Sequence, residues 1–146
     1  INITVRKPWI ILEKESAIFF IDKTGKILSP PDNPEKLLRV TGITLSENSV
    51  DTKDLWKLEV LKELEKWYNF YNLQKYFSIE SISIVKPTEI VLNERDGTRK
   101  IILLDKNIRE KFEKLQSVLE ECNKNATLWD YIDIRFENPY VKLKDR

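Results

Sequence analysis

Residues 88–104 read Thr88-Glu89-Ile90-Val91-Leu92-Asn93-Glu94-Arg95-Asp96-Gly97-Thr98-Arg99-Lys100-Ile101-Ile102-Leu103-Leu104. Two runs rich in Ile, Val and Leu, residues 88–93 and 99–104, flank a polar break centred on Asp96-Gly97. That dipeptide tolerates the positive φ angles a tight hairpin turn needs, so the stretch predicts two antiparallel strands. Strands joined by turns rather than by crossover segments point to a mostly antiparallel sheet with helices added to it, an α+β fold.

Just upstream, Ile79, Ile82 and Ile84 predict a further strand leading to Pro87. Before it, residues 54–76 carry the longest helical pattern. Leu55, Leu58, Leu61, Leu64, Tyr68 and Tyr71 recur every three or four residues. Trp56, Val60, Trp67 and Phe70 widen that stripe, which reads as a core-facing face, with a partner groove as the alternative. Asp51 or Thr52 is placed to cap it by accepting from free amides. Downstream, a second helix begins near Asn107 with Glu110 three residues on, in the spacing of a capping box. Ile108, Phe112, Leu115, Leu119 and Cys122 share one of its faces. Asn123 and Asn125 are expected to stop it in the left-handed conformation.

Toward the N-terminus, Ile1, Ile3 and Val5 alternate with polar residues, a strand that Pro8 interrupts. A short apolar run follows at residues 9–12, then a polar break at 13–16 and a strand at 17–22. Lys23-Thr24-Gly25-Lys26 forms a turn before Ile27-Leu28, with Gly25 at the position that favours positive φ. Residues 29–34 hold three prolines and form an irregular connection. Toward the C-terminus, residues 131–136 alternate, Asn138-Pro139 punctuates, and residues 140–144 alternate again.

Composition removes many functions. The chain has 146 residues, 25 basic and 24 acidic side chains and a net charge of +1. Without clustered excess charge it lacks the electrostatic footprint of a nucleic-acid binder. It has no His, which removes His-based triads and most zinc sites. Its single Cys122 excludes an internal disulfide. Its three glycines are far apart, so no glycine-rich phosphate loop exists. The longest apolar run, residues 17–21, is too short to span a bilayer. A chain without Met that begins at Ile1 is expected to continue upstream, where an anchor or leader could lie.

The remaining chemical candidates are weak. Asp130/Asp133 and Glu120/Glu121 are paired carboxylates, but acid catalysis would need one member in a cleft with a raised pKa. No Asp-rich loop has calcium-binding spacing. Cys122 lies on the apolar face of its helix without a His partner and reads as a buried, inert thiol rather than a nucleophile. No catalytic, cofactor or metal residue is assigned.

The last strand material is the informative surface. A terminal strand is commonly an edge strand with unpaired amides and carbonyls. Such an edge is either blunted, here by Pro139 and the cations at 142, 144 and 146, or it recruits a partner by strand addition. Phe136 and Tyr140, four residues apart, would share one face of a regular strand, with Pro139 placed to bend it.

Several of these segments, in order, resemble the extracytoplasmic region of the bacterial cell-division family FtsQ/DivIB. Val5-Arg6-Lys7-Pro8 is similar to the family's passage from a POTRA domain into its β domain. Residues 18–28 resemble its apolar run ending in Asp, then Gly and an apolar return. Residues 37–42 resemble a Leu-Pro then Gly stretch, with the Pro missing here. Residues 87–97 and 101–104 resemble the hairpin before its last helix, followed suitably by Lys111, Leu115 and Leu119. Tyr131-Ile132-Asp133-Ile134-Arg135-Phe136 is the nearest match, to a terminal Ile-Asp-Leu-Arg-Phe pattern.

The resemblance implies residues 1–8 as the remnant of a POTRA domain and 9–146 as the β domain. It implies a single-pass protein on the outer side of the cell membrane, anchored upstream of Ile1, without enzymatic activity or cofactor. Its partners would be the small coiled-coil division proteins FtsB/DivIC and FtsL, adding a strand at the C-terminal edge. The matching positions are Phe136, Asn138, Tyr140, Val141 and Leu143, with Pro139 as the departure, since it lacks an amide donor. Another POTRA-associated envelope-assembly or chaperone-like module is the alternative within binding proteins. A carboxylate-dependent hydrolase is the alternative outside them.

Overall fold

The structure is a computed structural model that describes residues 6–85, 88–95 and 98–145. The strand read at Ile1, Ile3 and Val5, Pro87 and the Asp96-Gly97 turn lie outside the described residues.

The chain opens with β1 (Ile10–Lys14), β2 (Ala17–Ile21) and β3 (Ile27–Leu28), an antiparallel meander. Glu15 takes φ 56° at the first turn, and Gly25 takes φ 96° at the second, as its placement requires. A β-carbon on Gly25 would lie 3.1 Å from a Leu58 methyl, so the turn also needs a small residue for packing. After the proline-rich connection come β4 (Leu38–Thr41) and a small hairpin, β5 (Leu45–Ser46) and β6 (Ser49–Val50). Sequence periodicity did not find these three strands, because each has at most two apolar residues, too few to establish a period.

Helix α1 (Leu55–Phe70) then crosses to β7 (Ile79–Ile84), which is followed by β8 (Glu89–Glu94) and β9 (Lys100–Leu104). Helix α2 (Ile108–Lys124) crosses to β10 (Trp129–Asp133), and β11 (Tyr140–Leu143) closes the chain. The main sheet has the order β11-β10-β9-β8-β7-β4-β1-β2-β3. Five of its neighbouring pairs are antiparallel. The pairs β1/β4, β4/β7 and β9/β10 are parallel. Parallel neighbours need crossovers, and the two helices supply the last two of these. The fold is α+β with a mostly antiparallel sheet, as the hairpins implied.

Both helices lie over the same sheet face. Alternate residues Ile10 and Leu12, Val40, Ile82, Leu92, Ile101 and Ile132 meet Leu58, Leu61 and Leu64 of α1 and Phe112, Leu115 and Leu119 of α2 in one core. Trp67 is half-buried against that core. The stripe of α1 is narrower than its apolar sequence suggests: Leu55, Trp56 and Phe70 are exposed. Ile11 and Phe20 pair on the opposite face and are buried there.

Three local readings are corrected. Helix α1 stops at Phe70 rather than Tyr76, because Asn72 turns left-handed (φ 54°) and a 3-10 turn over Leu73–Lys75 follows. Asn107 precedes α2 with φ 55° and its side chain caps nothing, so the capping box is not formed. At the end of α2, Ala126 (φ 52°) takes the left-handed position instead of Asn123 or Asn125. The Thr127 amide donates to the Cys122 carbonyl (2.8 Å) and that of Ala126 to the Asn123 carbonyl (3.2 Å), the paired bonds of a Schellman motif. The start of α1 agrees better: Asp51 accepts from the Lys53 amide at 3.1 Å, capping the 3-10 turn that leads into the helix.

Candidate functional site

The two ends of the sheet differ. At β3 the small hairpin covers the edge: the Ile27 amide donates to the Asn48 carbonyl at 3.0 Å, and that of Val50 to the Gly25 carbonyl at 2.7 Å. At β11 no strand pairs with the outer side among the described residues.

Which backbone groups of β11 face outward follows from the ladder beside it. The Ile134 amide donates to the Ile102 carbonyl at 2.9 Å, so Ile132 and Ile134 direct their backbone groups toward β9. Tyr131 and Asp133 therefore direct theirs toward β11, where they pair with Lys142 and Tyr140. Tyr140 and Lys142 are thus used inward, and Val141 and Leu143 present amide and carbonyl to the outside. The Lys144 amide, which reaches the Leu128 carbonyl at 3.1 Å, keeps the same alternation. Pro139 falls on the outward parity, so the donor it lacks is one the inner ladder never uses.

The five candidate residues lie along this edge but on two kinds of backbone. Tyr140, Val141 and Leu143 are on β11. Phe136 and Asn138 are in the bend between β10 and β11, so Phe136 does not share a regular strand face with Tyr140. Strand β10 begins at Trp129 and ends at Asp133, earlier than its alternation suggests. Phe136, Tyr140 and Leu143 are 64%, 55% and 55% exposed, whereas Val141 packs against the core. The Tyr140 ring lies 6.1 Å from that of Tyr131.

The bend is held in place. Asp133 accepts from the Arg135 amide (3.0 Å) and from its guanidinium (2.7 Å), and Arg135 also reaches Glu89 at 3.3 Å. The Arg135 guanidinium sits 5.3 Å from the centre of the Phe136 ring. Lys111 donates to the Phe136 carbonyl at 2.6 Å, and Lys114 to the Glu137 carbonyl at 2.8 Å. The sequence singled out Lys111 only through the family resemblance, without its contact to the bend, and it pointed neither to Lys114 nor to the exposed Leu128 beside β11. The i, i+3 spacing of the lysines placed them on one side of α2, but only the crossover puts that side next to the bend.

The geometry gives no support to acid catalysis at Asp133. Burial works against its charge, but hydrogen bonds from Arg135 outweigh that and hold the carboxyl below its ordinary range. A general acid would need the opposite shift. Burial pushes the Cys122 thiol upward, away from a reactive thiolate. Among the described residues no group of three or more Cys, Asp or Glu side chains could hold a metal ion. None of the described helices is long and apolar enough to cross a membrane.

A sequence model of the cell division protein FtsQ/DivIB, C-terminal region, matches residues 11–135. No curated protein matches the chain. The matched span ends at Arg135, so it includes the anchor of the bend and stops one residue before Phe136.

Proposed function

The chain belongs to the FtsQ/DivIB family of cell-division proteins, and on that footing we propose that it is a non-catalytic divisome scaffold whose β11 edge receives an extended strand from a small coiled-coil partner of the FtsB/DivIC or FtsL type. The observation that carries the reading is the outward backbone of Val141 and Leu143, which no strand pairs with among the described residues. Strand addition draws affinity from such groups and specificity from the side chains beside them. Exposed Tyr140 and Leu143 flank the edge, and Phe136 and Asn138 extend it at the bend. Large aromatic side chains of this kind dominate interface energies once desolvated.

In the same reading, residues 9–146 are the β domain and residues 1–8 the end of a preceding POTRA domain, with a membrane anchor further upstream and the described fold on the outer side of the membrane. Trp9 supports that boundary. Its amide donates to the Ile21 carbonyl at 2.7 Å and its indole to Glu65 at 2.7 Å, so Trp9 is fastened to both the sheet and α1, while Arg6 before it reaches only Asp22 among the described residues, at 3.7 Å.

The test is a titration of peptides from the membrane-distal part of an FtsB/DivIC-like partner against the chain and against a version ending at Pro139. Binding lost with the last strand, in a chain that still folds, is the expected result. Equal affinity for both versions would place the interface elsewhere.

A further inference from the structure

An edge open to a partner strand is also open to the same edge of another copy unless something prevents it. We propose that Pro139 and Lys142 close β11 to a second copy of this chain and select a strand that carries a carboxylate opposite Lys142. The selective half rests on the reading of β11 as the partner edge; the self-excluding half stands without it.

The alternation of β11 carries the argument. Because Lys142 spends its own amide and carbonyl on Tyr131, it forms a non-hydrogen-bonded pair with any residue opposite it on the outer side. In such pairs the α-carbons approach to about 4.5 Å and the side chains come closest. Lys142 is half-buried beside Tyr131 and makes no ion pair among the described residues. Its charge is therefore available to whatever strand arrives.

A two-fold pairing of β11 with its copy is antiparallel, and outward residues must face outward residues. The symmetric registers are then centred on residues 140, 141, 142 or 143. Centred on Lys142, the register sets Lys142 against the copy's Lys142. Centred on Leu143, it sets Lys142 against the copy's Lys144 twice. Like charges directly opposite disfavour both. Centred on Val141, the register sets Leu143 against the copy's Pro139, and the Leu143 carbonyl finds no donor. Centred on Tyr140, it leaves the Val141 carbonyl in the same position. A carbonyl deprived of water and of a partner disfavours these two. Two residues thus cover all four registers. A strand with Asp or Glu opposite Lys142 escapes the first restriction and gains an opposite-charge pair at the closest contact.

Sedimentation of the chain itself tests both halves without a partner peptide. The unsubstituted chain is expected to remain at 17.4 kDa over a concentration series. The double variant Pro139→Val, Lys142→Thr is expected to double its mass, and adding Leu143→Pro, which removes an outward donor, is expected to restore the single mass. The variant Lys142→Glu, Lys144→Glu supplies the carboxylate: that variant alone stays single, because the registers centred on 142 and 143 again set like charges together, and its mixture with the unsubstituted chain forms a one-to-one pair of doubled mass. A double variant that is folded by circular dichroism and stays single overturns the self-exclusion, as does an unsubstituted chain that doubles until Leu143→Pro is introduced. A mixture that stays single overturns the selection of a carboxylate, and this arm decides if the double variant fails to fold. If both arms succeed while the division-partner peptides do not bind, β11 is not the edge that takes them, and the self-exclusion stands.

Discussion

Gly42 lies against Ile84 so closely that a β-carbon added to it would sit 2.2 Å from the Ile84 carbonyl oxygen. Its φ of 96° independently disfavours a side chain there. The contact lets β4 end beside β7 and lets the loop after it turn onto α1. There Asp54 accepts from the Thr44 amide at 2.7 Å, and Lys57 donates to the Gly42 carbonyl at 2.8 Å. Gly42→Ala is expected to destabilise the fold by more than about 2 kcal/mol, from left-handed strain plus the displaced strand end. Urea unfolding would measure it, and a loss under about 0.5 kcal/mol would show that β4 and β7 can separate without cost.

The apolar pattern of α1 divides into a packed and an unpacked part. Leu64 is 1% exposed and Leu55 is 39% exposed. Leu64→Ala should cost ~2–5 kcal/mol, as truncation of a buried Leu does. Leu55→Ala should cost under about 1 kcal/mol. Equal costs in thermal or denaturant unfolding would contradict this division.

On β11, neighbouring proline substitutions should have opposite consequences. Leu143→Pro removes an outward amide that the sheet does not use, so stability should change by no more than about 0.5 kcal/mol while partner-strand binding is lost. Lys142→Pro removes an amide paired with Tyr131 and should destabilise by ~1–3 kcal/mol. Tyr140→Ala should leave folding nearly intact and weaken the partner by ~1–3 kcal/mol. Calorimetric titration beside thermal melts separates these effects; a Leu143→Pro chain that still binds at full affinity would rule out main-chain pairing there.

Acid should destabilise the protein through three aspartates. Burial opposes the charge of Asp22, Asp54 and Asp133, but their hydrogen bonds outweigh it and lower each pKa below the ordinary value. A carboxyl with a lowered folded-state pKa contributes stability that is present above its unfolded pKa and lost as pH falls through the folded one. The melting temperature should therefore be insensitive to these groups above about pH 5 and fall progressively below about pH 4. In Asp54→Asn the fall should be shallower; an unchanged acid slope would assign the sensitivity to other groups.

Local pattern alone was enough for much of this protein. The flanking runs of the 88–104 hairpin, the face of α2 built from Ile108, Phe112, Leu115 and Leu119, and the positive φ of Gly25 all depend on neighbours a few residues apart. Those are the distances over which period and turn chemistry act. The absence of His and the single Cys likewise narrowed the chemistry before any fold was known. The tertiary structure decided what depends on distant partners. Strand β4 exists because β1 and β7 supply hydrogen bonds on either side, not because Leu38–Thr41 has a strong strand pattern. The exposure of Leu55 and Phe70 depends on which parts of α1 the rest of the chain packs against. Whether Pro139 obstructs the edge depends on which backbone groups of β11 point outward, and that parity is passed from the β9–β10 register through Ile134 and Ile102. A hydrogen-bond register links residues by position in the sheet rather than in the chain, so only the assembled sheet could determine it.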